Sequence, residues 1–174
     1  MAHQPFRQAS LRQLLATNEG PTCLYKTPCY IPTTLRLGKA PKQLPGRGNH
    51  VDLLRSLRGS LILVVEDDPL IALDLTATLE RAGVVVLGPA GRLNDAMLLA
   101  EKALPVAAVL DVRLEVGTTL PLAKWLADRD VPFLFQTSDP TLIDAAYSAA
   151  PVLRKAFRPE QLIAALAALL AKER

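Results

Sequence analysis

The residues able to do chemistry are few, and each follows an apolar run. Glu66, Asp67 and Asp68 come directly after LILVV and before Pro69; Asp111 ends AAVLD; Thr137 and Ser138 end FLFQTS; Lys155 follows VLR. Adjacent carboxylates repel one another and rise in pKa unless a cation lies among them, so this set of acids points to a metal site. Neither histidine nor cysteine occurs after residue 60. That leaves oxygen donors, which suit a hard octahedral ion such as Mg²⁺ better than zinc. A lysine and a hydroxyl beside such an ion are the groups that hold the oxygens of a phosphoryl group in transfer.

Those side chains converge only if the chain brings the ends of the runs together. From Leu61 onward, short β-branched runs alternate with amphipathic Ala/Leu-rich segments, the pattern of a parallel sheet covered by helices. The runs are LILVV (61–65), VVVLG (84–88), VAAVL (106–110), VPFLF (131–135) and PVLR (151–154). Helices are predicted over 69–82, with proline in its first turn, and over 93–103, 119–129 and 159–174, with a weak one over 141–148. Gly83 stands where a left-handed C-cap would end the first of these. Five such units predict an α/β fold, a doubly wound (βα)5 parallel sheet of the flavodoxin-like kind, whose ligands bind beyond the carboxyl ends of the strands. Every residue singled out above falls at such an end. Asp68, next to Pro69, is expected to cap the helix rather than bind metal. Trp125 is read as a packing residue.

Half of the 174 residues are apolar, enough for one domain with a real core. No run approaches the ~20 apolar residues of a membrane span, and MAHQPFRQASLRQLL lacks the features of a secretory signal, so a cytoplasmic location is expected. Cys23 and Cys29 in CLYKTPC match neither a zinc pair nor a redox C-x-x-C and are read as free thiols. Charge divides the chain: residues 1–60 carry nine Lys and Arg against two acids, a net of +7, and residues 61–174 carry eleven against fifteen, a net of −4. The first segment shows no sustained period beyond SLRQLLA and VDLLRSLR. It reads as a basic, largely irregular extension, 1–60, in front of a domain at 61–174.

The order of LILVVEDDPLI, AAVLDVRL, FLFQTS and VLRKAF resembles the receiver domain of two-component response regulators over nearly all of residues 61–174. The resemblance implies that Asp111 accepts a phosphoryl group from a phosphohistidine. It implies that Glu66, Asp67, Asp111 and the backbone carbonyl of Arg113 hold Mg²⁺, that Thr137 is the switch hydroxyl, and that Lys155 pairs with the acyl phosphate. Three departures stand out. Ala156 follows Lys155 where receivers usually carry a proline on a cis peptide, a bond that would cost alanine about 3 kcal/mol, so either the loop is trans and differently placed or signalling through it is altered. Val152 occupies a position often held by an aromatic switch residue. The stretch from Thr137 to Lys155 is about one helical turn short. With VVLGPAG, that shortening resembles a stand-alone subgroup marked by F-A-T-G-x-Y after strand four, of which Phe135 and Thr137 are present.

No output domain is expected before Leu61 or after Arg174, so the resemblance implies a single-domain regulator that signals by phosphorylation-dependent protein binding. It would not be an enzyme in the usual sense. Its input partner would be a histidine kinase or phosphotransfer protein, and its output partner a further protein of the phosphorelay or downstream of it. A DNA-binding regulator using the +7 extension belongs to a different class. The extension has no helix-turn-helix pattern and no interleaved aromatics beyond Tyr25 and Tyr30, so neither nucleic acid nor membrane is expected as a partner. A receiver without phosphorylation chemistry, serving as an interaction module, is another alternative. An aspartyl hydrolase on a similar sheet would need a second acid two residues past Asp111, where Arg113 stands.

Overall fold

The structure, a computed structural model, describes residues 50–172. Cys23, Cys29 and all of the basic extension before His50 lie outside the described residues. The chain forms α1 (His50–Leu57), β1 (Leu61–Val65), α2 (Pro69–Arg81), β2 (Val85–Ala90), α3 (Leu93–Lys102), β3 (Ala107–Asp111), α4 (Leu120–Ala127), β4 (Phe133–Thr137), β5 (Val152–Arg154) and α5 (Pro159–Lys172). All neighbouring strands pair in parallel, in the order β2-β1-β3-β4-β5. This is the doubly wound parallel sheet that the alternating pattern predicts.

The strands are apolar throughout because both faces of the sheet are covered. Side chains alternate between faces along a strand. Thus Leu61, Leu63 and Val65 join a core beneath α3 and α4, whereas Ile62 and Val64 join a second core beneath α1, α2 and α5. Full burial of each such side chain contributes roughly 2 kcal/mol. The helix α1 falls inside the segment expected to be largely irregular. Its VDLLRSLR pattern brings Leu54 and Leu57 onto the second core beside Leu166 and Leu169 of α5.

Local chemistry sets the element ends. Asp68 accepts hydrogen bonds from Leu70 N (2.8 Å) and Ile71 N (3.2 Å), the N-cap expected of it, and Pro69 opens the helix without losing a needed donor. Gly83 follows α2 with φ +82°, a left-handed stop. The weak helix expected over 141–148 does not form. Asp139 and Asp144 instead accept from Thr141 N and Ala146 N, and each starts a short 3₁₀ turn, Pro140–Leu142 and Ala145–Tyr147. Aspartate side chains that bond nearby backbone in this way compete with a continuing helix. Only Ile143, Tyr147 and Ala150 of this stretch reach the core.

One irregularity in the sheet bears on the site. Leu63 pairs with Leu87 but Val65 pairs with Ala90, so β2 carries an extra residue at this point. The bulge places Ala90 O where it accepts from Glu66 N at 2.9 Å, fixing the backbone just past β1. Gly88 makes this possible, with φ +108° and a position where an added Cβ would lie 2.9 Å from Val64 O. Gly88→Ala should therefore destabilise the domain by about 2 kcal/mol, from strain and backbone overlap together. Urea denaturation checks it, and an unchanged midpoint would contradict this account of the bulge.

Candidate functional site

The parallel order puts β1 and β3 side by side at the centre, with β4 and β5 following on one flank. The C-terminal ends of these strands deliver Glu66, Asp67, Asp111, Gln136, Thr137 and Lys155 to one edge of the sheet. Glu66 is fully buried and Asp111 is 3 % exposed, while Asp67 is half-buried. One carboxylate oxygen from each of these three acids lies within 4.8 Å of the others. Lys155 reaches in from the end of β5, where its own N–H donates to Thr137 O at 2.9 Å. Its Nζ lies 2.6 Å from Asp111 Oδ2 and 3.1 Å and 3.0 Å from Glu66 Oε1 and Oε2.

The electrostatics follow from burial and from that ammonium. Burial pushes the Glu66 carboxyl above its usual range; the Asp68 N–H and Lys155 act against the rise, and Asp111 adds to it. Burial acts to lower the Lys155 ammonium, but its hydrogen bonds to Asp111 and Glu66 and their charges more than offset this, and the net direction is upward. The acids and the lysine thus hold one another in place. The donor set is wholly carboxylate oxygen, the chemistry of a hard divalent cation, and three such oxygens within reach of one another fit such an ion.

The loop from β3 to α4 wraps this cluster. Arg113 N donates to Asp111 Oδ1 at 3.2 Å, Thr119 Oγ1 donates to Asp111 O at 2.6 Å, and Glu115 N donates to Asp67 Oδ2 at 2.5 Å. Gly117, at φ +84°, turns the loop back so that its carbonyl accepts from Leu114 N. Thr137 is buried at the same edge, but its hydroxyl is engaged by its own loop. It accepts from Asp139 N at 3.1 Å and donates to Asp139 O at 3.3 Å. The Lys155–Ala156 peptide is trans, one of the two arrangements expected for a residue other than proline there. Ala156 then sits at φ +72°, a left-handed conformation costing a non-glycine residue about 1 kcal/mol. Val152 is exposed, and the aromatic contact in this region comes instead from Tyr147, whose ring packs edge-on to Phe133 and Phe135.

Sequence reasoning passed over Gln136 and the loop donors. Gln136 Nε2 donates to Glu66 Oε2 at 2.5 Å. A glutamine directly after the apolar run FLF, where the strand is still buried, was the available signal for it. The Glu115 N–H had none, since a backbone donor leaves no trace in residue type, and the Thr119 hydroxyl falls at a predicted helix start, where a threonine reads as a cap.

Among the described residues, Lys155 is the one cation that touches both buried acids. Lys155→Met should destabilise the protein by about 2 kcal/mol near pH 8, where two buried carboxylates are left facing each other. The loss should shrink as pH falls. Glu66 has a folded pKa above its unfolded one, so the folded state takes up its proton first and gains stability as pH drops through that folded value. The lysine's own contribution is present below its unfolded pKa and fades only at strongly alkaline pH, so it does not interfere. Denaturation midpoints at pH 5 and pH 8 test this, and equal losses at both would contradict it.

No family model and no curated protein matches the sequence. Solved structures do. SdrG from Sphingomonas melonis Fr1 is 38 % identical with a TM-score of 0.58, the match covering 66 % of this chain and 98 % of SdrG. The response regulator PhyR from Brucella abortus is 26 % identical with a TM-score of 0.61, covering 71 % of this chain and 53 % of that one. The chain thus spans about half the length of the PhyR proteins it matches. The receiver domain of the Erythrobacter litoralis PhyR response regulator, 21 % identical with a TM-score of 0.60 over 66 % of this chain and 92 % of its own, shares the fold. With its identity to SdrG extending over nearly all of that protein, this chain belongs to the response-regulator receiver domains.

Proposed function

We propose that the domain at 61–174 is a phosphoacceptor receiver in which Asp111 takes a phosphoryl group from a phosphohistidine and signals through the change that follows. The observation that carries this reading is the Lys155 ammonium 2.6 Å from Asp111 Oδ2, beside two further acids on the same strand edge. The relative SdrG has itself been solved in a BeF₃-activated conformation, which supports an anion-responsive site in this family.

Glu66, Asp67, Asp111 and the backbone carbonyl of Arg113 would hold Mg²⁺, whose charge offsets that of the phosphoryl oxygens. An Asp111 carboxylate oxygen attacks phosphorus as the P–N bond breaks. The imidazole leaves with the bonding electron pair and takes up a proton from water. Asp111 loses its charge to the new P–O bond, and Lys155 transfers its contact to a phosphoryl oxygen without moving far. Thr137 would release its two hydrogen bonds with Asp139 to donate to another phosphoryl oxygen. Asp139 starts the 3₁₀ turn Pro140–Leu142, so its release carries the displacement into the segment that ends at Tyr147.

The partners on this reading are a sensor histidine kinase or phosphotransfer protein on the input side and a downstream protein on the output side. The work would be done in the cytoplasm, with residues 1–60 as a basic extension and no catalysis of an outside substrate. No helix among the described residues is long and apolar enough to cross a membrane. Incubation with acetyl phosphate and Mg²⁺, followed by intact-mass measurement, tests the central step. Wild type should gain one acid-labile phosphoryl group and Asp111→Asn none. An adduct that survives in the variant would move the acceptor elsewhere, and none in the wild type would end the proposal.

A further inference from the structure

The three acids are not equally free to meet a cation. A carboxylate offers about four lone-pair sites. On Glu66, Oε1 is reached by Asp68 N at 3.0 Å and Lys155 Nζ at 3.1 Å, and Oε2 by Gln136 Nε2 at 2.5 Å and Lys155 Nζ at 3.0 Å. Glu66 thus accepts three hydrogen bonds and a second ion-pair contact from the same ammonium, more than either of the other acids. Asp67 accepts at Oδ2 from Glu115 N, and Asp111 accepts once on each oxygen, from Arg113 N and Lys155. These two retain lone pairs for an ion.

Gln136 is the unusual partner. It is fully buried near the end of β4, directly after the apolar Phe133, Leu134 and Phe135, and its Oε1 accepts no hydrogen bond. An unpaired buried amide oxygen costs about 1–3 kcal/mol, which apolar packing alone would not require. The amide is oriented by the carboxylate, since the reverse orientation would set oxygen against oxygen. Glutamate is also one methylene longer than aspartate, so without a restraint its head could swing toward Asp67 and Asp111.

We propose that Gln136 is a positioning residue that holds Glu66 against Lys155 and withholds it from the cation, so that Asp67 and Asp111 are the carboxylates that set the affinity for Mg²⁺. The proposal rests on the metal-binding reading of the same site. It narrows the ligand set given above: Glu66 becomes a fixed counter-charge for Lys155, and Asp67 and Asp111 remain as the carboxylate ligands. Gln136→Met keeps most of the volume and loses the donor. Gln136→Ala removes the side chain and serves as a second, smaller variant.

Calorimetric titration with MgCl₂ at neutral pH, on wild type, both Gln136 variants and Asp67→Asn, provides the test, with circular dichroism confirming the fold of each. Both Gln136 variants should bind Mg²⁺ more tightly by roughly tenfold, because a third carboxylate becomes free to reach the ion and the ligand charge rises. Asp67→Asn should bind far more weakly. A side chain that merely filled space would leave Mg²⁺ affinity unchanged or weakened when removed, so tightening is specific to the restraint. Unchanged or weaker binding in the folded variants, with acetyl phosphate still labelling wild-type Asp111 in the presence of Mg²⁺, overturns the role of Gln136 and leaves the phosphoacceptor reading standing. Absence of Mg²⁺ binding in wild type and variants alike overturns both.

Discussion

One ammonium group organises the site. Lys155 Nζ sits between two carboxylates that the fold buries almost completely, and neither would be tolerated there unneutralised. A single charge cannot fully balance Glu66, Asp67 and Asp111, and the remaining negative charge is what gives the cluster an appetite for a cation. The same contact ties β5, a strand of only three residues at the sheet edge, to β1 and β3 at its centre.

The sheet order makes that contact possible. Because β1 and β3 are neighbours, residues separated by about forty positions end side by side without any help from local structure. The bulge in β2 and the Glu66 N–H bond to Ala90 O fix the backbone on one side. The β3–α4 loop, anchored through Thr119 and Glu115, closes over the other side. The flank from Thr137 to Lys155 is built differently. Two aspartate-capped 3₁₀ turns replace a helix there, neither turn contains a fully buried residue, and Tyr147 is the main anchor into the Phe133–Phe135 pair. A segment so lightly tied suits the switch role proposed for the Thr137 hydroxyl.

Much of this was legible in the sequence because it depends on chain-local pattern. The buried runs, the alternation with amphipathic helices, the Asp68 cap and the Gly83 stop all follow from the residue types within a few positions, and so did the placement of acids and lysine at strand ends. The misread parts lie where local signals compete. The stretch 141–148 has apolar residues at helical spacing, yet Asp139 and Asp144 take backbone N–H groups that a helix would use. The VDLLRSLR period, noted within the extension, does form a helix, and α5, over a hundred residues away, packs against it.

The sequence by itself determined which groups are available to the site and the order in which strands present them, since residue type and hydrophobic period are properties of neighbouring positions. Only the tertiary structure decided how those groups are shared. Gln136 meets Glu66 across seventy positions, Lys155 meets it across eighty-nine, and Glu115 offers Asp67 a backbone N–H across forty-eight. Which lone pairs remain for a cation depends on distances of a few tenths of an ångström between strands, and no periodicity along the chain encodes them.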